Sequence, residues 1–382
     1  MSLKKINVSV DLASDEPWHD YKFGQTKKNF FSNRKYSYCF YQRHPPPDDH
    51  ILRKLEIYGK KFNIKFDHLE NNYKTSKILI SINLYRRNKF QKKFLDSNKK
   101  KILVITEPDA IDPYSYQIKL HKKFDTIFTR KYTFLKKKNK KYKFYNGNAL
   151  VLKENKKIIR NKKKNFLCIF MKNRYWHHKR SLSYLRYNII EWFNKKYPND
   201  LDLYGYDWDK NFIYIHKFFK KNKIFRNIFL KILSMSLIKN FFSKKLEVYK
   251  GAVKDKINTL SQYKFEICIE NSILHGSTSE RIFHSLLSGT VPIFVGHKKK
   301  FNFIPSNCYI DFWKFKNMED LYDYIKNMSE SDYKKYLKNA ERYVKSKEFF
   351  KNTVDFNALN IINEINYLSK QRSLKILIIL LL

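Results

Sequence analysis

One stretch in the second half of the chain carries the densest group of side chains that could do chemistry. The alternating apolar residues 265–269 predict a strand, which ends in Glu270-Asn271-Ser272. A loop that contains Gly and Ser follows, and Glu280 and Arg281 then begin an apolar helix. This order of strand, polar loop and helix suits a nucleotide's diphosphate and sugar, because the N–H groups and the dipole of a helix N-terminus favour anions.

The same stretch resembles the alpha-1,3-fucosyltransferase family. The hallmark of that family is an apolar strand ending in Glu-Asn-Ser or Glu-Asn-Thr, then Glu-Lys at the start of a helix, and Glu270 and Glu280 keep this spacing. The turn at residues 288–296 and the preceding residues 249–256 and 260–265 also match. Because the agreement extends from about residue 249 to residue 315, it is more specific than a short motif.

The resemblance also implies a fold. It implies the GT-B architecture, an α/β fold in which two Rossmann-like domains face a cleft, with the acceptor domain first and the nucleotide-sugar domain second. We predict an acceptor domain over residues 1–150, a basic linker over 151–164, a GDP-sugar domain over 165–350 and a C-terminal helical tail over 351–382.

The apolar pattern of the chain supports the same architecture. Strands are predicted at residues 6–10, 36–41, 78–82, 102–105, 124–128, 165–170 and 201–204. Helices are predicted at residues 49–58, 180–195, 329–345 and 350–368. Parallel strands that alternate with helices predict doubly wound domains that bind ligands beyond the carboxyl ends of the strands.

Residues 217–245 form an unusual segment that is rich in Phe and Ile at helical spacing, with Lys and Arg in much of the rest. The pattern is typical of a basic amphipathic helix at a membrane surface. An ordinary helix that packs its apolar face on the core would show the same pattern. Both interpretations stay open at this point.

Composition indicates a globular and strongly basic protein. The chain has 382 residues, 43% of them apolar, and 79 Lys and Arg against 35 Asp and Glu give a formal charge of +44. Such a charge favours anionic partners, which include nucleic acid, an acidic membrane face and phosphorylated substrates. Lys, Asn, Ile, Phe and Tyr are abundant together, as an AT-rich genome would produce, so we assign part of the charge to compositional drift.

The cysteines and the apolar runs indicate where the protein works. Cys39, Cys168, Cys268 and Cys308 are scattered without a CxxC pair, which argues against a zinc site or a disulfide framework and favours a reducing compartment. The N-terminus lacks the apolar core of a signal peptide, and no apolar run reaches the roughly 20 residues that span a bilayer. We expect a cytoplasmic protein, or one bound peripherally at the inner face of the membrane.

Transfer of a sugar from a nucleoside diphosphate requires cations that neutralise the leaving phosphates. Arg180 and Arg281 are the candidates, and each follows a predicted strand or begins a helix. The resemblance assigns Arg180 to the phosphates, places Asn173 seven residues before it at the donor site, and matches Lys256 to a further donor-domain Lys. Arg281 stands where the family has Lys. For each of these cations the ordinary alternative is a solvated surface charge.

Other residues of the stretch could hold the sugars of the donor. Glu280 could accept hydrogen bonds from both ribose hydroxyls, although an acidic residue in the first turn of a helix is favoured by the helix dipole alone. Glu270 and Asn271 end a buried strand and are expected to fix the loop or contact the donor sugar. Ser277 stands where the family usually has Tyr, which replaces a phenol by a shorter hydroxyl.

Glu107 is the candidate general base. It follows the apolar strand predicted at residues 102–105 and precedes Pro108, and this placement resembles the family's strand-then-Glu pattern in the acceptor domain. A carboxylate there could take the proton of an acceptor hydroxyl. Asp109 and Asp112 are the alternatives, and a Glu that merely ends a strand is the ordinary interpretation.

Two Asp-x-Asp triplets, at residues 200–202 and 207–209, have the pattern that binds a divalent metal in the other large glycosyltransferase fold. So short a pattern arises readily by chance, and in a GT-B fold a helix dipole and cations neutralise the diphosphate. We therefore predict no obligatory metal or cofactor, with GDP-fucose as the donor substrate.

Together these features predict an inverting alpha-1,3-type glycosyltransferase that moves L-fucose from GDP-fucose to a saccharide hydroxyl by a single in-line displacement. The expected partners are the GDP-sugar, an oligosaccharide or lipid-linked glycan acceptor of surface polysaccharide or glycolipid synthesis, and a membrane surface through residues 217–245. The alternatives are a transferase for another GDP-sugar, a basic nucleic-acid-binding protein, and an inactive membrane-associated scaffold. No nucleic acid is expected, because no recognised nucleic-acid motif occurs.

Overall fold

The structure is a computed structural model that describes residues 5–12, 51–84, 89–136, 139–146, 158, 162–174, 179–208, 246–274, 276, 278–297 and 304–369. The strand predicted at residues 36–41, the segment 217–245 and Ser277 lie outside the described residues. Within the described ranges, no helix is both long and apolar enough to cross a membrane.

The first domain is a parallel sheet with connecting helices. Its elements are β1 (Ile6–Leu12), α1 (Ile51–Lys61), β2 (Ile64–His68), α2 (Leu69–Asn72), β3 (Ile78–Ile82), α3 (Lys89–Asp96), β4 (Lys100–Val104), α4 (Ile118–His121), β5 (Thr126–Thr129), α5 (Tyr132–Leu135) and β6 (Tyr142–Phe144). The strand order is β2-β1-β3-β4-β5-β6. Every residue of β3 is buried, as expected for a parallel strand with both sheet faces covered.

The second domain repeats this plan. Its elements are β7 (Asn165–Phe170), α6 (Ser183–Lys196), β8 (Leu201–Tyr204), β9 (Tyr249–Gly251), α7 (Lys256–Leu260), β10 (Tyr263–Ile269), α8 (Glu280–Leu287), β11 (Val291–Val295), β12 (Ile310–Asp311), α9 (Met318–Lys326), α10 (Glu330–Val344), α11 (Lys347–Phe350) and α12 (Val354–Leu368). The strand order is β12-β11-β10-β7-β8-β9, and all described pairs are parallel.

The last helix, α12, packs on the first domain rather than the second. Its apolar residues, which include Val354 and Ile361, join the core formed by α1 and the first sheet. Asp355 pairs with Lys54 at 2.9 Å, and buried Glu364 accepts a hydrogen bond from Thr126 in β5. The part of the chain that the sequence assigns to a C-terminal tail therefore covers one face of the first sheet.

The predicted α/β class is confirmed, and several element bounds agree closely. The strands at residues 78–82, 165–170 and 201–204 are found where the apolar pattern places them. The helix predicted at residues 350–368 begins at Val354, because the Thr353 side chain accepts from the Phe356 N–H and caps it there. The elements that the sequence analysis missed include β2, β6, β12, α3 and α9.

Because all strands of each sheet are parallel, the loops that follow them meet at one edge. Glu107 follows β4 in the first sheet, and Glu270 follows β10 in the second. The candidate residues thus come from the carboxyl edges of both sheets.

A close backbone contact in the second domain requires a glycine at position 205. Gly205, directly after β8, has φ +138°, and a Cβ atom there would lie 1.8 Å from the carbonyl oxygen of Met171. Its N–H donates to the carbonyl oxygen of Gly251 at 2.9 Å. Gly251 also has a positive φ, +87°, but a Cβ atom at that position would meet no atom within 4 Å.

We expect Gly205→Ala to lower the free energy of unfolding by about 2–4 kcal/mol, since it combines backbone strain with a clash against main chain. Gly251→Ala is the matched control, and its φ alone should cost about 1 kcal/mol. Urea denaturation followed by circular dichroism measures both. Equal losses in the two variants would contradict the account, because they would leave no role for the close approach to Met171.

Candidate active site

The main chain around Glu107 is fixed by Asn83, which follows the neighbouring strand β3 and adopts φ +59°. The Asn83 Oδ1 atom accepts the Thr106 N–H at 2.8 Å and the Glu107 N–H at 3.4 Å. Tyr116 donates its hydroxyl to the Glu107 carbonyl oxygen at 2.8 Å. The Glu107 carboxylate, in contrast, accepts no hydrogen bond from any residue in the described ranges. The main chain of Glu107 is therefore fixed, while its carboxylate oxygens remain available to a substrate.

The two alternative carboxylates have partners. Asp112 is fully buried and accepts the N–H groups of Leu84 and Ser115, each at 3.2 Å, so it fixes the turn in which it lies. Asp109 forms ion pairs with Arg180 at 2.5 Å and Lys131 at 3.6 Å.

Burial raises the pKa of Glu107. The charge of Arg130 opposes this most strongly, Glu280 and Asp112 raise the pKa further, and Arg281 lowers it. Two of these neighbours come from the first domain and two from the second. Glu107 therefore lies where the two domains face each other.

Glu270 is fixed on the opposite side. It is buried at the end of β10, its Oε1 atom accepts the Ser279 N–H at 2.7 Å, and its own N–H donates to Val295. Burial raises the pKa of Glu270, while Arg281, the Ser279 N–H and Arg130 lower it. The carboxylate thus takes the place of a side-chain cap at the N-terminus of α8, where Ser279 makes no such hydrogen bond.

The first residues of α8 carry the predicted donor contacts. Glu280 is buried, and its side chain accepts no hydrogen bond within the described ranges. Arg281 donates from Nη1 to the Ser279 Oγ atom at 3.1 Å, and its charge acts on both Glu107 and Glu270. The structure thus brings Glu107, Glu270, Glu280 and Arg281 together.

Asn271 is held by a residue that the sequence analysis missed. Arg186 of α6 is buried and donates from Nη2 to the Asn271 Oδ1 atom at 2.6 Å. Burial lowers the pKa of Arg186 to about 9, and Arg281 contributes to the shift. The sequence feature that could have indicated Arg186 is a cation on the apolar face of the predicted helix, next to Tyr187 and three residues before Ile189.

Two other predicted residues have structural partners. Arg180 reaches across to Asp109 of the first domain. Asn173 donates to the Asp207 carbonyl oxygen at 2.8 Å and accepts the Tyr187 hydroxyl at 2.9 Å, which fixes the loop after β8. Both residues remain at the edge of the second sheet.

The structure does not bring Lys256 to this group. Its ammonium pairs with buried Glu266 at 3.5 Å and lies over the ring of Phe170 at 5.2 Å. Glu266 precedes Glu270 by four residues in an extended strand, which corresponds to roughly 13 Å. The first turn of α7 therefore directs Lys256 onto the strand and away from the strand end, and its donor role stays a prediction.

Arg130 is the second residue that the sequence analysis missed. It follows β5 directly, only 3% of its surface is exposed, and its Nε and Nη1 atoms are buried without a hydrogen-bond partner among the described residues. Its charge acts on both Glu107 and Glu270. The sequence feature that could have indicated Arg130 is a cation directly after a predicted strand, at the same sheet edge as Glu107.

The first Asp-x-Asp triplet lies at the opposite edge of the second sheet. Asp200 pairs with Lys326 at 2.8 Å, and Asp202 accepts the Tyr263 hydroxyl at 2.5 Å, both at the beginning of β8. Asp209 of the second triplet lies outside the described residues. In the part of the chain that is described, no three acidic, His or Cys side chains are grouped as a metal site would require. That a donor binds without metal stays a prediction.

The model of "Glycosyltransferase family 10 (fucosyltransferase) C-term" matches residues 212–377, which include Glu270, Glu280 and Arg281. The match covers less than half of the chain and lies in its C-terminal part. The resemblance to fucosyltransferases is thereby confirmed on the residues that first indicated it.

Known fucosyltransferases match the chain over a short segment. The chain is 37% identical over 71 residues to an alpha-(1,4)-fucosyltransferase of Arabidopsis thaliana, which is 19% of this chain and 18% of that protein. It is 36% identical over 74 residues to the alpha-(1,3)-fucosyltransferase FucT of Helicobacter pylori, which is 19% of this chain and 16% of that protein. The matching segment thus spans less than a fifth of either relative.

Solved structures share the fold over nearly the whole chain. An alpha1,3-fucosyltransferase with GDP superposes with a TM-score of 0.51 and 15% identity, covering 97% of this chain and 92% of that one. The DNA-modifying β-glucosyltransferase superposes with a TM-score of 0.53 and 11% identity, covering 94% and 99%. The predicted GT-B fold is confirmed.

We expect Glu107→Gln to raise the free energy of unfolding at pH 7. A raised pKa means that the folded protein binds the proton more readily than the unfolded chain, so Glu107 costs stability increasingly as pH rises above its ordinary value of 4.5. The gain should therefore vanish at pH 4, where both states are largely protonated. Urea denaturation at the two pH values measures it.

Glu330→Gln is the control for this variant, because Glu330 is exposed in the first turn of α10 and should cost at most about 1 kcal/mol at pH 7. A loss of stability in Glu107→Gln at pH 7 would contradict the burial account of its pKa.

Proposed function

We propose that the chain is an inverting fucosyltransferase that moves L-fucose from GDP-fucose to a saccharide hydroxyl, with an alpha-1,3 type of linkage. The observation that carries the proposal is the meeting of Glu107 with Glu280 and Arg281 across the two domains. A carboxylate without hydrogen bonds thus faces the part of the chain that matches the family 10 model.

The donor would bind at the N-terminus of α8. The helix dipole and Arg281 suit the diphosphate, and the carboxylate of Glu280 suits the two hydroxyls of a ribose. Arg180 would add a second cation by exchanging Asp109 for a phosphate. These groups neutralise the leaving GDP, so the proposed reaction needs no metal.

The chemical step would be a single displacement. Glu107 takes the proton of the acceptor hydroxyl, the hydroxyl oxygen bonds to C1 of the fucose, and the bond from C1 to the phosphate oxygen breaks as GDP leaves. Attack opposite the leaving group inverts the configuration at C1 from beta to alpha. The held backbone and free carboxylate of Glu107 suit this role, because a base must have an oxygen available to the substrate.

The acceptor is proposed to be an oligosaccharide or a lipid-linked glycan of surface polysaccharide or glycolipid synthesis. Its hydroxyl must reach Glu107, so it would enter from the carboxyl edge of the first sheet. A cytoplasmic protein that contacts the membrane through residues 217–245 would meet a lipid-linked acceptor at the inner face.

Donor selectivity can be tested by thermal unfolding with GDP, GDP-fucose, GDP-mannose and UDP-sugars, each with and without EDTA. We expect stabilisation by GDP and GDP-fucose of about 2.7 kcal/mol at a ligand concentration one hundred times Kd, little effect of UDP-sugars, and no effect of EDTA. If GDP-mannose stabilises as well as GDP-fucose, the donor assignment is wrong. If no GDP compound has an effect, the function itself is wrong.

The two free carboxylates should separate into different kinetic roles. We expect Glu107→Gln to lower kcat by roughly 100- to 10,000-fold while GDP-fucose still binds, since general-base catalysis contributes that much. Glu280→Gln should instead weaken GDP-fucose binding by roughly tenfold, as the loss of one charge-assisted hydrogen bond would. Radiolabelled transfer to a panel of oligosaccharides and calorimetric donor titration measure both.

The exposed Glu330→Gln variant is again the control and should keep wild-type kinetics. Full activity in Glu107→Gln would remove Glu107 from the mechanism. A normal donor affinity in Glu280→Gln would remove Glu280 from the donor site.

A further inference from the structure

Arg130 is a buried cation whose hydrogen-bonding groups are incompletely used. It is 3% exposed, and its Nε and Nη1 atoms have no hydrogen-bond partner among the described residues. An arginine does not lower the free-energy cost of its burial by losing a proton, because its guanidinium stays charged in proteins. A buried charge without contacts is costly, so its presence at a strand end requires an explanation.

Arg130 and Glu107 leave the first sheet side by side. The Ile105 N–H donates to the Phe128 carbonyl oxygen at 2.9 Å, which continues the pairing of β4 with β5. Glu107 lies two residues after Ile105, and Arg130 lies two residues after Phe128. Both side chains therefore arise from adjacent strand ends at the same edge.

The two side chains are neighbours but not contact partners. Arg130 forms no ion pair within 4.0 Å among the described residues. Its charge is nevertheless the strongest favourable charge on Glu107, and it also acts on Glu270. A direct pair with the planar guanidinium would occupy both oxygens of a carboxylate. A cation at a short distance supplies charge and leaves the oxygens available.

We propose that Arg130 is a positioning residue that holds a positive charge beside Glu107 while leaving the carboxylate oxygens of Glu107 to the acceptor hydroxyl. The inference rests on the proposed function, because it gives Arg130 a task only if Glu107 accepts a proton.

Among the charges around Glu107, Arg130 is the cation that would remain effective once the donor is bound. Glu280 and Asp112 are negative and favour the protonated form of Glu107, and Arg281 is the other cation that favours the ionised form. Under the proposed function, the diphosphate of the donor neutralises Arg281. Arg130 is then the remaining cation, so its effect should be largest in the complex with donor.

The test compares the pH dependence of kcat at saturating donor and acceptor in wild type, Arg130→Gln, Arg130→Met and Arg130→Lys. In the two neutral variants the acidic limb should move up by roughly one pH unit or more, which is about tenfold less activity on that limb. Arg130→Lys should keep the limb near its wild-type position. The rate of each neutral variant should recover at high pH.

Arg53→Gln is the matched control, because it removes one positive charge from helix α1 of the same domain, and Arg53 pairs with Glu56 rather than with Glu107. Its acidic limb should not move. A uniform loss of rate in the Arg130 variants at every pH would overturn the proposal, because a purely structural residue would act in that way.

A second measurement does not depend on activity. Carboxyl ¹³C NMR of protein labelled at glutamate follows the titration of Glu107, whose signal is identified by its absence in Glu107→Gln. The titration should move to higher pH in whichever neutral variant folds, and an unmoved titration would overturn the proposal. If the Glu107 titration moves but the protein transfers no sugar, the electrostatic effect of Arg130 on Glu107 would be upheld and the proposed function would be refuted.

Discussion

The site depends on one constraint, which is that two separate parallel sheets must present their carboxyl edges to each other. Parallel strands put all their following loops at one edge, so each domain alone supplies only half of the charged groups. Asp109 and Arg180 join the two edges directly at 2.5 Å. Helix α12 ends the chain on the first domain, where Glu364 contacts β5 and Asp355 pairs with Lys54 of helix α1. The chain thus crosses between the domains more than once, which limits how far the edges can separate.

Burial and charge act against each other throughout this site. Glu107 and Glu270 lie where burial favours the protonated form, and Arg130 and Arg281 lie where they favour the ionised form of both. Such opposed pairs are typical of functional sites, since a carboxylate that only stabilised the fold would be paired directly or exposed. Asp112 illustrates the structural case within the same loop, because both of its oxygens accept hydrogen bonds.

Local patterns predicted the framework and half of the site, and long-range packing decided the rest. Strands such as residues 165–170 are continuous apolar runs, and Glu270 and Glu280 follow from motif spacing. β12 has only two residues, too few to show a period. Lys256 follows Asp255, the N-cap of α7, and its direction toward buried Glu266 depends on how that helix packs. Arg186 contacts Asn271, which lies 85 residues later in the chain, and Arg130 acts on Glu107 and Glu270 at two other strand ends. Their neighbours depend on tertiary packing.

The cations of the site already have partners of lower charge than a diphosphate. Arg180 holds a carboxylate, and Arg281 donates to the Ser279 hydroxyl. Donor binding under the proposed function is therefore an exchange, in which a group with at least two negative charges replaces a group with one or none. Because Asp109 is buried and keeps Lys131 at 3.6 Å, the release of Arg180 does not leave its carboxylate without a cation. The exchange leaves Asp109 paired with Lys131 while the phosphates are bound, and it links donor binding to the contact that joins the two domains.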